Sequence, residues 1–362
     1  FVIDDTHAGS DIFYDAVNNL LTELSEKDTL DINVGVVAFD AVSRDWLSAT
    51  SNGDYSNLVS IKDSDALNAV QKAIMTQLDY DGSGHMTKVG ATNTEWPVDM
   101  AAEMLRNGTG EEKYLIMFSD LYGYVYRGEL TLDGTTYYDV PLSKRIGTWN
   151  QGSLSMGTKY STFADAYAEK DLEENQTADG FFRDTSWENY WKIYQGLDTA
   201  PENTISTMYQ VGSHTYSGFE KSLCLTYDNL MNAAEIADVI IINNSFYTGD
   251  SQYAQSMVQE MLDTLEENSA VKTYRYNTSS ADEALEGDAA EGIFQGIRDD
   301  LIQVVDAGSY VVDEIGSGTD DAGIEYNFDF IDDIDNLTLT VGDEELAKEE
   351  LTDINFDHPG AA

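Results

Sequence analysis

The first ten residues narrow the fold more than any other stretch, because an apolar run ends there in oxygen-bearing side chains just before a helix-like segment. Residues 1–3 are strand-forming, Asp4 and Thr6 follow, and a small-residue turn ends at Ser10. From residue 11 to residue 24 apolar side chains recur at helical spacing, so Ser10 is a natural N-cap. A strand, an oxygen-rich loop and a helix in this order are typical of an α/β sheet that builds a polar site at the carboxyl end of a strand.

Two later segments repeat this arrangement. Residues 89–94 form a loop that contains Thr92 and opens a predicted helix. Residues 113–120 show a buried-strand pattern that ends in a hydroxyl and an acid, Ser119 and Asp120. An oxygen-only ligand set suits a hard divalent cation such as Mg²⁺ better than it suits zinc. The three segments therefore predict a cation site at one rim of a sheet.

Asp4, Thr6, Thr92 and Asp120 together resemble the von Willebrand factor type A (VWA) family and its metal-ion-dependent adhesion site (MIDAS). That family carries Asp-x-Ser/Thr-x-Ser after the first strand, a Thr in a Gly-rich loop and an Asp after the fourth strand. In strict register the second Ser would be residue 8, which is Ala8 here. Either the loop is longer and Ser10 takes that role, or the site has lost a ligand that water replaces.

The resemblance implies how such a site works. Thr6, Thr92 and Ser10 would supply hydroxyl ligands, while Asp4 and Asp120 would supply negative charge. The ion would be Mg²⁺, with Mn²⁺ or Ca²⁺ as alternatives, and an open coordination position would accept a carboxylate from a partner. The implied function is adhesion on a Gram-positive cell wall or pilus, with a host or extracellular-matrix protein or glycan as ligand and other pilus subunits as further partners.

The predicted fold is α/β: a doubly wound, mainly parallel sheet flanked by helices, with a large inserted subdomain and a β-rich C-terminal extension. Residues 1–120 and 224–307 form the VWA-like domain, residues 121–223 the insertion, and residues 308–362 the extension. The insertion is far longer than an ordinary loop and resembles the arms of type A domains at pilus tips. Most of its aromatic side chains are expected to form its own small core, and the alternative is an exposed recognition surface.

Periodicity and turn residues predict the remaining elements. An alternating strand over residues 31–39 is expected to pair with residues 41–49, and an Asp-Gly turn predicts a hairpin over residues 130–138. The apolar run 239–242 is typical of a central parallel strand. The other predicted helices span residues 65–78, 163–168, 187–194, 227–237, 253–265 and 293–305, and a further strand spans residues 271–276.

Charge and cysteine content restrict the setting. The net charge of −48, from 19 basic and 67 acidic residues, disfavours nucleic acid and anionic membranes as partners. The single Cys224 excludes an intramolecular disulfide and lies between leucines, as a buried thiol would. No run is long and apolar enough to span a membrane, and the chain starts inside a strand, which predicts a mature or trimmed fragment. The resemblance implies an extracellular, cell-surface location.

Two other functions remain open at this point. A metal-free structural module of a surface fibre keeps the fold, and Ala8 supports it. A haloacid-dehalogenase-like phosphohydrolase would use an acid pair at the end of the first strand. However, Asp4 and Asp5 are adjacent and would point in opposite directions, whereas that chemistry needs two acids separated by one residue. The prediction is therefore a non-enzymatic protein.

Overall fold

The computed structural model describes most of the first three quarters of the chain and short pieces beyond it. The described residues are 1–4, 11–27, 31–76, 92–143, 160–171, 180–181, 190–191, 194–202, 218–245, 252–277, 292, 296, 298, 317–319, 325–327, 340–341 and 344–345. The chain divides into two compact units, Phe1–Ile302 and Gln303–Ala362.

The first unit contains eleven described strands, numbered along the chain. They are β1 (Val2–Asp4), β2 (Asn33–Val34), β3 (Val37–Phe39), β4 (Ser43–Asp45), β5 (Val59–Ser60), β6 (Tyr114–Ser119), β7 (Tyr126–Leu132), β8 (Thr135–Ser143), β9 (Gly180–Phe181), β10 (Asp238–Ser245) and β11 (Val271–Asn277). Six of them form the central sheet, in the order β11-β10-β6-β1-β3-β4. All neighbours in it are parallel except β3 and β4, which confirms the predicted mainly parallel sheet.

Seven described helices accompany the sheet. They are α1 (Asp11–Ser25), α2 (Trp46–Thr50), α3 (Ser64–Met75), α4 (Glu95–Asn107), α5 (Phe163–Ala168), α6 (Gly218–Ala234) and α7 (Gln252–Leu265). Local signals explain several ends. Asp63 caps α3 by accepting from the N–H groups of Asp65 and Ala66, for example, and Thr162 caps α5.

The order of the strands creates a reversal beside β1. The chain runs from β1 to β3 on one side and later returns to β6 on the other, so the connections diverge between β1 and β6. The register aligns Ile3 with both Ala38 and Phe118. The carboxyl ends of three neighbouring strands therefore meet at one edge, and such a reversal is where α/β sheets bind ligands.

The core beneath this edge is mainly aliphatic. It joins buried side chains of the central strands, such as Val2, Met117 and Ile241, to apolar faces of α4, α6 and α7. Cys224 of α6 is buried in it as a free thiol, as predicted. The run Val239–Ile242 forms the centre of β10, between β6 and β11, which confirms its predicted place in the sheet.

The residues after Asp120 form a separate three-stranded sheet in the order β7-β8-β9. The predicted hairpin is confirmed: Asp133 and Gly134 both have positive φ, as an Asp-Gly hairpin turn requires. A second cluster packs on it and includes the buried rings of Tyr126, Tyr190 and Trp191. The predicted insertion boundary at residue 223 falls inside α6, and Trp149 and Trp187 lie outside the described residues.

One local prediction is wrong in its extent. Residues 41–49 were expected to pair with β3, but only Ser43–Asp45 do so, and helix α2 follows at once. The reason is Asp45, whose carboxylate accepts the N–H of Ser48 and caps α2.

The second unit is described through two strand pairs. β12 (Ser317–Thr319) pairs with β13 (Glu325–Asn327), and β14 (Thr340–Val341) pairs with β15 (Glu344–Glu345), both antiparallel. The predicted helix 293–305 lies outside the described residues except at two positions, 296 and 298. The extension as a module remains a prediction.

Candidate metal centre

Asp4 and Ser119 meet across the reversal in the sheet. Asp4 ends β1 and is 1% exposed, and Ser119 ends the neighbouring strand β6. The Ser119 hydroxyl donates to Asp4 Oδ2 over 2.6 Å and accepts the N–H of Leu121 over 2.9 Å. The hydroxyl therefore fixes the orientation of the carboxylate, which is the role that a residue behind a metal ligand plays.

Asp120 lies one residue beyond, where the backbone turns sharply. Its Oδ1 accepts the N–H of Tyr122 over 2.8 Å, and the carboxylate is 5% exposed. Leu121 has a φ of 62°, a left-handed conformation that is unfavourable for a residue with a Cβ. Strain of this kind is maintained only where surrounding contacts enforce it, and it is common at binding sites.

Thr92 is held at this edge from two sides. The N–H of the next residue, Asn93, donates to the backbone oxygen of Asp40, directly after β3, over 2.8 Å. The Thr92 backbone oxygen accepts the N–H groups of Tyr124 and Val125, in the segment after Asp120. The loop that carries Thr92 is thus bonded to the residue after β3 and to the residues just before β7.

Close packing at Gly123 supports the same arrangement. A Cβ at this position would lie 2.5 Å from Thr94 Oγ1 and 2.6 Å from Ser222 Oγ. The backbone after Asp120 can therefore approach the start of α4 only because residue 123 has no side chain. This contact brings the segment that follows Asp120 against the residue two positions after Thr92.

Of the five predicted ligands, Asp4, Thr92 and Asp120 are described: Asp4 ends β1, Asp120 follows β6, and the Thr92 backbone oxygen accepts two N–H groups just before β7. Thr6 and Ser10 lie outside the described residues. Carboxylate and hydroxyl oxygens suit a hard cation, and Asp4 and Asp120 are buried carboxylates. Within the described ranges, no three His, Cys, Asp or Glu side chains are grouped so that they could hold a metal ion together.

Asp40 is a third buried acid at the edge, but a cation of the protein neutralises it. The Arg44 Nη2 atom lies 3.3 Å from Asp40 Oδ1, and both side chains are buried. Burial acts to lower the pKa of the Arg44 guanidinium, while Asp40 and Tyr194 act to raise it, and the net result is a raised pKa. The Arg44 guanidinium therefore stays protonated beside Asp40.

Asn243 extends the polar edge to β10. Its Nδ2 donates to the Ser119 backbone oxygen over 3.2 Å, and its Oδ1 accepts from Gln259 Nε2 over 3.2 Å. The side chain is completely buried. It supports the end of β6 from the side opposite to β1.

Glu95 lies at the start of α4, behind the Thr92 loop. Its Oε1 accepts the N–H of Arg127 over 2.5 Å, and Asn229 Nδ2 donates to its Oε2 over 3.2 Å. Burial raises the pKa of this carboxyl to about 7, against the lowering effect of the Arg127 N–H. Glu95 therefore changes charge near neutral pH at the junction between α4, α6 and β7.

Sequence reasoning missed Asp40 and Asn243 as members of this edge. Asp40 follows β3, and Asn243 follows the predicted apolar run 239–242 within β10, so the rule that selected Asp4 and Asp120 would have pointed to both. Asn93 is a loop residue before α4, and its Oδ1 accepts the N–H of Trp96.

No family model and no curated protein matches this sequence. Several solved structures are similar to it at low identity. The PilB minor pilin from Streptococcus sanguinis is 13% identical with a TM-score of 0.43, and the match covers 84% of this chain and 61% of that one. The pilus adhesin SpaC from Lactobacillus rhamnosus GG is 14% identical with a TM-score of 0.43, over 84% of this chain and 30% of that one.

A third similar structure is the vWF domain of the type V pili tip protein Mfa5 from Porphyromonas gingivalis, with 13% identity, a TM-score of 0.42, and coverage of 86% of this chain and 96% of that one. The chain thus spans less than two thirds of the PilB and SpaC structures. TM-scores below 0.5 do not establish a common fold, so they assign no family. Among the described residues, no helix is long and apolar enough to cross a membrane.

Proposed function

We propose that this chain is a non-enzymatic cell-surface module, an adhesin or pilus component of a Gram-positive bacterium, that binds a divalent cation at the edge defined by Asp4, Thr92 and Asp120. Thr6 and Ser10 complete the ligand set in this proposal, and Mg²⁺ is the ion, with Mn²⁺ or Ca²⁺ as substitutes. The observation that supports the proposal is the hydrogen bond between Asp4, at the end of β1, and Ser119, at the end of the neighbouring strand β6 and directly before Asp120.

The chemistry of adhesion follows from the donor set. Hydroxyl ligands leave the charge of an ion less neutralised than carboxylates would, so the ion keeps its attraction for an incoming oxygen. A carboxylate from a host or matrix protein, or an oxygen of a glycan, completes the shell, and the segment after Asp120 provides the adjoining surface. The net charge of −48 concentrates cations around the molecule and favours loading of the site.

Calorimetric titration with Mn²⁺ tests the cation step. We expect binding in the parent and at least about a 10-fold loss of affinity in Asp120→Asn and in Thr92→Val, because each removes one oxygen donor or its charge while keeping its shape. Asp54→Ala is the matched control, since Asp54 is exposed and distant in the sequence from all of the ligands. It should bind like the parent.

The result that contradicts the proposal is a parent protein that takes up no Mn²⁺. A scaffold without a metal would then be the function that the fold supports. Equal affinity in the parent and in both site variants would place the bound ion elsewhere and would contradict the assignment of Asp120 and Thr92.

A further inference from the structure

Tyr194, far along the chain from Asp120, contacts the central sheet near the candidate centre. Its hydroxyl accepts a hydrogen bond from Arg44 Nε, and the guanidinium carbon of Arg44 lies 5.5 Å from the centre of its ring. Tyr194 belongs to the region predicted as an insertion, whereas Arg44 belongs to β4 of the central sheet. A side chain of the sheet, that of Arg44, therefore contacts a side chain 150 residues further along the chain.

Arg44 passes this contact on to Asp40. Arg44 Nη2 lies 3.3 Å from Asp40 Oδ1 and 3.4 Å from Oδ2. Its remaining nitrogen, Nη1, is buried and has no acceptor in the part of the chain that the structure describes. The orientation of the guanidinium consequently depends on two partners, Asp40 and Tyr194.

Asp40 in turn holds the loop of a predicted ligand. Its Oδ1 accepts the N–H of Val42 over 3.0 Å, which fixes the turn after β3. Its backbone oxygen accepts the N–H of Asn93, the residue next to Thr92. Tyr194, Arg44, Asp40 and Asn93 are thus joined by a series of hydrogen bonds that ends at Asn93, the residue next to Thr92.

Packing follows the same route. The aromatic cluster that contains Tyr190 and Trp191 also contains Ala41 and Val42, next to Asp40, and Trp96, close to Thr92. Tyr190 stacks on Tyr194, with 5.4 Å between the ring centroids. A displacement of Tyr194 would therefore disturb both the polar contacts and the apolar contacts of the Thr92 loop.

From these contacts we infer that Tyr194 and Arg44 are positioning residues for the cation site, so that ordering of the segment around Tyr194 and loading of the ion favour each other. The inference rests on the proposed function, because it concerns what sets the ion affinity of the same site. Coupling of this kind is reciprocal by thermodynamic necessity: whatever the segment contributes to ion affinity, the ion contributes to the order of the segment.

Mn²⁺ titration of Tyr194→Phe tests the inference. The variant keeps the ring and loses only the acceptor for Arg44, so we expect Mn²⁺ affinity to fall about 10-fold. Tyr167→Phe is the matched control: it also loses one tyrosine hydroxyl bond, to Asp228, but on the α5–α6 side of the molecule. Its Mn²⁺ affinity should stay within about twofold of the parent, even where its Tm falls as much as that of Tyr194→Phe.

Hydrogen exchange supplies a readout that a merely structural role would not move. In the parent, saturating Mn²⁺ should slow exchange of the amides of Gln195 and Leu197, which donate to the Trp191 backbone oxygen. In Tyr194→Phe this slowing should be lost. Arg44→Lys keeps the charge but cannot bond both partners through a planar fork, and it should behave like Tyr194→Phe.

The possible failures are distinguishable. If the parent takes up no Mn²⁺, the proposed cation site itself is wrong. If the parent binds Mn²⁺ and Tyr194→Phe binds it equally well, with the same slowing of exchange, the cation site stands and the coupling is overturned.

Discussion

The central sheet and the three-stranded sheet β7-β8-β9, here called the hairpin layer, are stabilised in different ways. In the sheet, aliphatic side chains of consecutive buried strands pack against helices, and polar groups occupy the carboxyl edge. In the hairpin layer, aromatic rings form the core and use their polar ends as well. Tyr190 donates its hydroxyl to the Asp139 backbone oxygen over 3.0 Å, and Trp191 meets the ring of Tyr137 edge to face at 5.2 Å.

This difference shows which sequence features specify the structure of each region. The sheet is encoded by local runs of apolar residues, each of which specifies a strand by itself. The hairpin layer depends on rings that come from distant positions, since Tyr126, Tyr190 and Trp96 share one cluster. We therefore expect the hairpin layer to lose its structure at a lower free energy than the sheet.

The largest expected effect is that of Trp191→Ala. Trp191 is completely buried, so its truncation should lower the free energy of unfolding by about 3–5 kcal/mol. Hydrogen exchange should show that the amides of β7 and β8 lose protection while those of β10 keep it. Urea denaturation measures the total effect.

Two substitutions serve as controls for Trp191→Ala. Ile241→Ala truncates an equally buried side chain in β10 and should lower the protection of both regions together. Tyr138→Ala removes a ring that is 60% exposed and should change little. If Trp191→Ala destabilises β10 as strongly as β7, the two regions unfold as one unit, and the hairpin layer is not less stable than the sheet.

A smaller effect is expected at the junction of the two regions, from Glu95→Gln. Burial raises the pKa of Glu95 from its ordinary value of 4.5 to about 7 in the folded protein. As pH rises from about 4.5 to 7, the unfolded chain loses this proton before the folded one, so the stability contributed by the neutral carboxyl is lost. Glu95→Gln should remove this loss, which amounts to at most about 3 kcal/mol.

The measurement is the difference in unfolding free energy between parent and variant, followed from pH 4 to pH 8. It should increase in favour of Glu95→Gln across this range and level off above pH 7. Glu103→Gln, on the exposed face of the same helix, is the control and should show a flat difference. A flat difference for Glu95→Gln as well would mean that the pKa of Glu95 is the same in the folded and the unfolded chain.

The smallest effect is expected from Asp63→Ala, which acts within the sheet region alone. The Asp63 carboxylate accepts two backbone N–H groups at the start of α3, and its loss should lower stability by about 1 kcal/mol. Thermal unfolding measures the change, and Asp65→Ala in the same helix serves as a control that leaves the cap intact. An effect of Asp63→Ala on the exchange of β7 would contradict the separation of the two regions.

Much of the sheet could be predicted from the sequence because its signals are local. The apolar runs at β6 and β10 and the periodic helix α7 after β10 are each specified by local sequence, and so is the Asp133-Gly134 turn. Asp4, Thr92 and Asp120 could be selected for the same reason, since each follows a strand or opens a helix. Strand ends in a parallel sheet converge without further information.

The remainder depends on contacts that no local pattern contains. Nothing near Arg44 indicates that a tyrosine 150 residues away accepts its hydrogen bond. Helix α2 replaces half of a predicted strand because one carboxylate, that of Asp45, caps it. The aromatic cluster was expected to belong to the insertion alone, whereas it includes Trp96 and Val42 of the sheet region.

The position of β1 has a consequence for how the chain acquires its structure. Although β1 is the first strand along the chain, it lies inside the sheet, and its second neighbour starts only at Tyr114. β6 in turn pairs with β10, which starts only at Asp238. Pairing over such separations slows folding and leaves strand edges open in the meantime. Refolding from denaturant should accordingly be slow and sensitive to protein concentration.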